Sequence, residues 1–193
     1  MNQEVKMKPS YLKIAFWIEM ELLLKIIQMK NGEKLKNLKF LKGSIEGLKR
    51  LKEMGYDFII ITNQYLINDG IISLNDYQQF TGKFLKKLKE ENIDILKIYF
   101  CPHNEKDHCH CKKPKPGMIE QAKKDFLIDM NNSIYIGDSH VDYLLAKHFN
   151  LTFYGINYNG DNVKSYRSIL EISKQIKRFK INESFISFLK HIQ

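Results

Sequence analysis

An α/β architecture, a parallel sheet covered by helices on both faces, follows from three features of this 193-residue chain. Apolar runs of strand length alternate with stretches whose apolar residues recur at helical spacing. Some runs, "FIIIT" above all, lack polar alternation, as strands buried on both faces do. The polar groups able to carry chemistry follow these runs directly, where ligands gather in open parallel sheets.

In chain order, "YLKIAFWI" from Tyr11 reads as a first strand. "SIEGLKRLKEMG" from Ser44 reads as a helix, with Ile45, Leu48, Leu51 and Met54 on one face and Gly55 as its stop signal. "YDFIIITNQ" is a buried strand, and "SLNDYQQFTGKFLKKLKEENI" a long helix with Ser73 as N-cap. "DILKIYFCP" is a third strand, and "GMIEQAKKDFLI" a helix entered from a Pro-Gly turn. "NNSIYIGDSHVDYLLAKHFN" gives strand, turn and helix. "LTFYGINYN" is the last strand, and the tail 165–193 is expected to be helical and basic. Repeats, low-complexity linkers and signs of a second full domain are lacking. One domain over residues 1–193, with a core of about 11–156, is therefore expected.

Composition narrows the function. A hydrophobic fraction of 44% allows a sizeable core. The formal charge is +9, from 31 basic and 22 acidic residues, and favours anionic partners, phosphorylated small molecules among them. The basic residues are spread along the chain, and no block interleaves them with aromatics, which argues against a nucleic-acid surface. The apolar run from Ile14 to Ile27 is broken by Glu19, Glu21 and Lys25, too short and too charged to cross a bilayer. With a polar start, it carries no secretory pattern, and a cytoplasmic location is expected. The oligomeric state stays open.

In a reducing compartment, clustered cysteines are metal ligands more often than disulfides. All 3 cysteines lie in "CPHNEKDHCHC". Cys101-x-His103 and Cys109-x-Cys111 can converge on one tetrahedral ion. A Cys3His set leaves no open position, so the expected zinc is structural, clipping the loop 101–111. His108 and His110 are spare imidazoles, and either could replace His103.

Three further groups suit phosphate. "IIITNQ" ends a buried strand with Thr62, Asn63 and Gln64, whose hydroxyl and backbone N–H groups can hold a phosphoryl oxygen. "KKPKPGM" sets Lys112 and Lys113 beside backbone stiffened by Pro114 and Pro116. A fixed lysine there can neutralise a transferring phosphoryl group, although two solvated surface lysines would read the same. "IYIGDSHVD" places Asp138 and Asp142 after an apolar strand. A carboxylate at that edge is a natural magnesium ligand, and Asp142 could also cap the helix that follows.

In this order and spacing, "ITNQ", "CPHNEKDHCHC", "KPKPGM" and "IGDSHVD" resemble the haloacid dehalogenase (HAD) superfamily. The likeness is greatest to its zinc-containing branch of D-glycero-D-manno-heptose 1,7-bisphosphate phosphatases and histidinol-phosphate phosphatases. It covers roughly residues 11–156. It implies a three-layer Rossmann-like fold, a zinc-clipped loop and phosphoryl transfer through an Asp-x-Asp-Gly motif after the first strand. There the first Asp attacks phosphorus and the second acts as general acid and base, with magnesium alongside. On this resemblance Thr62 binds phosphate and Lys113 stabilises the phosphoryl group. Asp138 holds magnesium, Asp142 supports it, and Asn63, Gln64 and Lys112 face the substrate.

The first motif departs from that pattern. The chain reads "IEMELLLK", which puts Glu19 at the nucleophile and magnesium position and Glu21 at the acid–base position. A register shifted by one residue offers Ile18 and Met20 instead. Leu22 replaces the turn glycine. Tyr65 and Leu66 replace a small residue and Gly after "TNQ". Two readings follow. One is a phosphatase with an altered nucleophile, acting on a phosphorylated small molecule of the sugar class. The other is a catalytically silent relative serving as a binding or partner module.

Overall fold

The computed structural model describes residues 11–17, 40–160 and 163–176. Six parallel strands form one sheet in the order β3-β2-β1-β4-β5-β6. They are β1 Ile14–Trp17, β2 Asp57–Asn63, β3 Lys97–Cys101, β4 Ile134–Gly137, β5 Thr152–Ile156 and β6 Ser165–Tyr166. The helices are α1 Ser44–Glu53, α2 Leu74–Glu90, α3 Gly117–Asp125, α4 His140–His148 and α5 Ile169–Gln175. The strand order reverses at β1, which lies between β2 and β4. That is the switch point outside which ligands bind in doubly wound sheets.

Local chemistry explains the elements. β1 and β4 are buried at every residue and β2 at its five central ones, which accounts for their unbroken apolar runs. Trp17 stacks on Phe58 at 5.7 Å across the first strand pair. Ser73 caps α2 as expected, its hydroxyl accepting from the Asp76 backbone N–H at 3.0 Å. Tyr77, Phe80, Phe84 and Leu88 then form the buried face of α2. α1 ends before Gly55, whose N–H donates to the Lys52 carbonyl.

Two boundaries differ from the periodicity. α3 stops at Asp125 because Phe126 is already extended (φ −136°, ψ 143°), so "FLI" leaves the helix. The tail does not begin as a helix. Ser165–Tyr166 adds a sixth strand at the sheet edge, and α5 starts only after Ser168. Two residues are too few to show a period of two.

An ionic knot ties the edge strand β3 to α3. The Asp125 carboxylate accepts from Lys97 Nζ and from the Tyr99 hydroxyl, both at 2.6 Å. These two partners, then Gln121, hold it down to about 2. A depressed carboxylate stabilises the fold above its unfolded value of about 3.9 and loses that contribution as pH falls through its folded value. Asp125→Asn is therefore expected to lower the unfolding midpoint at pH 6. The gap from wild type should narrow between about pH 4 and pH 2, as thermal melts across that range would read.

Candidate functional site

The sheet register brings the motifs together. Asn63, the last residue of β2, pairs directly with Cys101, the last residue of β3, so "TNQ" and the cysteine loop start side by side. The Gln64 N–H donates to the Cys101 carbonyl at 2.7 Å. On the far side of the loop, the Lys113 N–H donates to Asn63 Oδ1 at 2.9 Å, and Asn63 Nδ2 donates back to the Lys113 carbonyl at 3.3 Å. A strand end thus holds the cysteine loop at both its ends.

Within that loop the donors of Cys101, His103, Cys109 and Cys111 all lie within 4.8 Å of one another. Cys101 Sγ is 3.5 Å from Cys109 Sγ and 3.0 Å from Cys111 Sγ, and His103 Nδ1 is 3.2 Å from Cys111 Sγ. Four donors at zinc-bond lengths of about 2.3 Å form a tetrahedron with edges of about 3.8 Å. The cluster is near that size, and its three cysteines are free thiols. Burial, followed by the Cys111 thiol, pushes the Cys101 thiol far up. Burial also works to raise Cys109, but the Lys112 backbone N–H and the neighbouring thiols outweigh it and bring this thiol to about 7. So dense a set of sulfurs around a nitrogen fits a zinc ion. Of the spare imidazoles, His110 turns away to the Glu120 carboxylate, 2.8 Å distant. His108 ends the short 3₁₀ turn Glu105–Asp107 and is exposed. His103 is the imidazole of the cluster.

Gly117 of "KPKPGM" lets α3 press on this loop. A Cβ there would stand 2.7 Å from the His110 carbonyl oxygen, to which the Gly117 N–H donates.

Next to the loop lies a buried ion pair. Lys113 Nζ donates to Asp142 Oδ1 at 2.7 Å and to the Ile61 carbonyl at 3.1 Å, with the two side chains 6% and 1% exposed. Asp142 also accepts from the Tyr135 hydroxyl at 3.1 Å and from the Ser139 hydroxyl. Burial, then Asp142, raises the Tyr135 phenol well above its ordinary value, so it stays a donor. Ser139, not Asp142, is the N-cap residue of α4, and the Asp142 carboxylate pairs with Lys113. Gly137 permits this geometry, since a Cβ at that position would fall 2.5 Å from Asp142 Cβ. The sequence had given Gly137 no role; the shortness of "IGD" before a helix was the available signal.

Thr62 is buried and directly follows Ile61, whose carbonyl takes the Lys113 ammonium, and its hydroxyl accepts from Gln64 Nε2 at 3.1 Å. Asp138 is half-buried just past the end of β4. Lys112 is bound by the Glu105 carboxylate at 2.7 Å and lies 5.5 Å from the centre of the Tyr65 ring. Glu19 and Glu21, and the alternatives Ile18 and Met20, lie outside the described residues. The described members therefore gather at the carboxyl ends of β2, β3 and β4, around the switch point.

Residues 15–155 match the family model described as polynucleotide kinase 3 phosphatase. The chain belongs to this family. Curated relatives agree. The chain is 43% identical over 117 residues to a D-glycero-alpha-D-manno-heptose-1,7-bisphosphate 7-phosphatase of Photorhabdus laumondii, a match over 56% of this chain and 63% of the relative. A probable D-glycero-D-manno-heptose-1,7-bisphosphate 7-phosphatase of Thermoplasma volcanium is 34% identical over 111 residues, 57% of this chain and 76% of its own length. The chain thus spans under two thirds of the first of these relatives. The crystal structure of D,D-heptose 1.7-bisphosphate phosphatase from B. bronchiseptica superposes with a TM-score of 0.71 at 18% identity, over 85% of this chain and 97% of that one. The parallel sheet is the Rossmann-like HAD fold. Among the described residues, no helix is long and apolar enough to cross a membrane.

Proposed function

We propose that this protein is a HAD-type phosphatase, built as one domain, that hydrolyses a phosphate monoester of a small sugar, with a heptose 1,7-bisphosphate as the first substrate to test. The observation that carries the reading is the buried Lys113–Asp142 pair, bonded at the switch point to the Ile61 carbonyl just before Thr62. Nothing in packing rewards burying a lysine there, whereas a phosphoryl group beside β2 needs a fixed cation. The family match and the heptose bisphosphate phosphatases among the relatives point the same way.

In this reading a substrate phosphoryl oxygen takes the Thr62 hydroxyl and the Lys113 ammonium as partners. Asn63 and Gln64 set the backbone around it, and Lys112 meets the rest of the substrate. The Glu19 carboxylate attacks phosphorus in line, and the bond to the leaving sugar oxygen breaks as Glu21 gives that oxygen its proton. Glu21 then takes a proton from the water that hydrolyses the acyl phosphate. Asp138 and Glu19 would hold a magnesium ion, with Asp142 in support; the ion would neutralise charge on the phosphoryl oxygens. The B. bronchiseptica protein was crystallised with magnesium and phosphate. Zinc on Cys101, His103, Cys109 and Cys111 would be structural.

Purified protein with magnesium is expected to release phosphate from D-glycero-D-manno-heptose 1,7-bisphosphate, and Glu19→Ala to stop it. Glu19→Asp shortens the nucleophile by one methylene to the length usual in the family, and is expected to raise turnover by about 10-fold or more. Absence of release from a broad phosphoester panel, in wild type and Glu19→Asp alike with the fold intact, would establish the silent binding module instead.

A further inference from the structure

Two exposed loops meet beyond the ends of β2 and β3. One is the segment 64–72 that follows "TN"; the other is the 3₁₀ turn Glu105–Asp107 inside the cysteine loop. They are joined by a reciprocal pair of amide–carboxylate bonds. Asn68 Nδ2 donates to Asp107 Oδ2 at 2.7 Å, and Asn104 Nδ2 donates to Asp69 Oδ1 at 3.1 Å. The same two residues also build the turn. Asp107 accepts from the Asn104 N–H at 2.8 Å, and Asn104 Oδ1 accepts from the Lys106 N–H at 3.0 Å, which makes a capping box. Lys112 forms a third strut, between Glu105 of the turn and the Tyr65 ring of the segment. The Gln64 N–H bond to the Cys101 carbonyl anchors the segment's first residue to a cluster ligand.

We infer that Asn104 and Asp107 are positioning residues that transmit the metal state of the Cys101, His103, Cys109 and Cys111 cluster to the segment 64–72, which carries Tyr65 beside the candidate substrate site. The turn has no buried residue of its own, so its shape depends on its capping box and on the ligands that flank it. A metal ion held by Cys101, His103, Cys109 and Cys111 would fix both flanks. The turn presents Asp107 and Asn104 to Asn68 and Asp69, and the segment is a hydrogen-bonded coil of its own. The N–H groups of Ile67, Asp69, Gly70, Ile71 and Ile72 all donate within 64–72. Tyr65, 45% exposed, rides on that coil. The hydrogen bonds of the Asn104 and Asp107 side chains go to the turn and to the segment 64–72 and not to the four donors, so replacing Asp107 separates the coupling from the cluster.

Amide hydrogen exchange with one zinc ion per chain tests the inference, with zinc content measured on each sample. Zinc-loaded Asp107→Ala and Asn68→Ala are each expected to keep the zinc and the protection of β2 and β4. Exchange at the N–H groups of Asp69 to Ile72 should rise about fivefold or more. Stripping zinc from wild type should give the same rise or a larger one. Should the apo protein lose protection across β2 and β4 as well, the two zinc-loaded variants decide. Unchanged exchange at 69–72 in those variants, or in a stripped protein whose sheet stays protected, would overturn the inference, as would a protein that takes up no zinc. Exchange reports loop closure and not turnover, so either failure leaves the phosphatase reading to its own assay.

Discussion

Replacing Lys113 with methionine is expected to destabilise the protein by about 3–5 kcal/mol, the usual loss when one partner of a buried ion pair is removed. The reason is what remains. Asp142 is 1% exposed and would be left with only the Tyr135 and Ser139 hydroxyls as donors. The Ile61 carbonyl, too, would lose the ammonium that now bonds it. Asp142→Asn in the same chain neutralises the stranded carboxylate. The double variant should therefore be more stable than the sum of the single ones, with a coupling of about 1–3 kcal/mol. Urea unfolding of wild type, both single variants and the double variant measures this directly. A Lys113→Met protein as stable as wild type would mean that the pair is solvated in solution, and the site's main electrostatic feature would fall with it. Phosphate release adds a second readout. Lys113→Met should abolish it even in the stabilised double variant, because a neutral side chain offers nothing to a phosphoryl oxygen.

The second large effect concerns metal. Wild-type protein is expected to carry one zinc, and Cys111→Ser to carry almost none. A structural zinc contributes on the order of 10 kcal/mol to folding of isolated finger peptides. Here the sheet has its own core of buried strands, so most of the loss should stay in the loop 101–111 and its neighbours. Cys101 lies inside that core at the end of β3, while Cys111 is only half-buried, which makes Cys111→Ser the milder way to open the cluster. Inductively coupled plasma mass spectrometry on both proteins gives the zinc ratio, and circular dichroism shows whether the helices persist. A folded wild type without zinc after purification in zinc-supplemented medium would contradict the assignment of the four donors.

The Cys/His cluster was legible in the chain because its members are neighbours there. Cys-x-His and Cys-x-Cys separated by five residues have few ways to avoid one another, and the structure chose His103 over the two spare imidazoles by turning His110 to Glu120. Strand and helix alternation was legible for the same reason, since hydrophobic period is a local property. The edge strand Ser165–Tyr166 was not. It exists because β5 offers it an open row of backbone partners, and no pattern of two residues announces that.

What the chain settles alone, then, is what depends on near neighbours: the alternation of elements, the Ser73 cap, the Cys/His cluster and the order of the motifs. What waits for the folded molecule is pairing across long separations. Lys113 and Asp142 are 29 residues apart and Asn68 and Asp107 are 39, and nothing in either stretch names its partner. Strand order does so, because placing β1 between β2 and β4 sets the ends of β2 and β4 at one mouth, and pairing β2 with β3 lays the two loops side by side. Long-range contacts are decided by which backbones share a ladder, and a ladder is a property of the whole sheet.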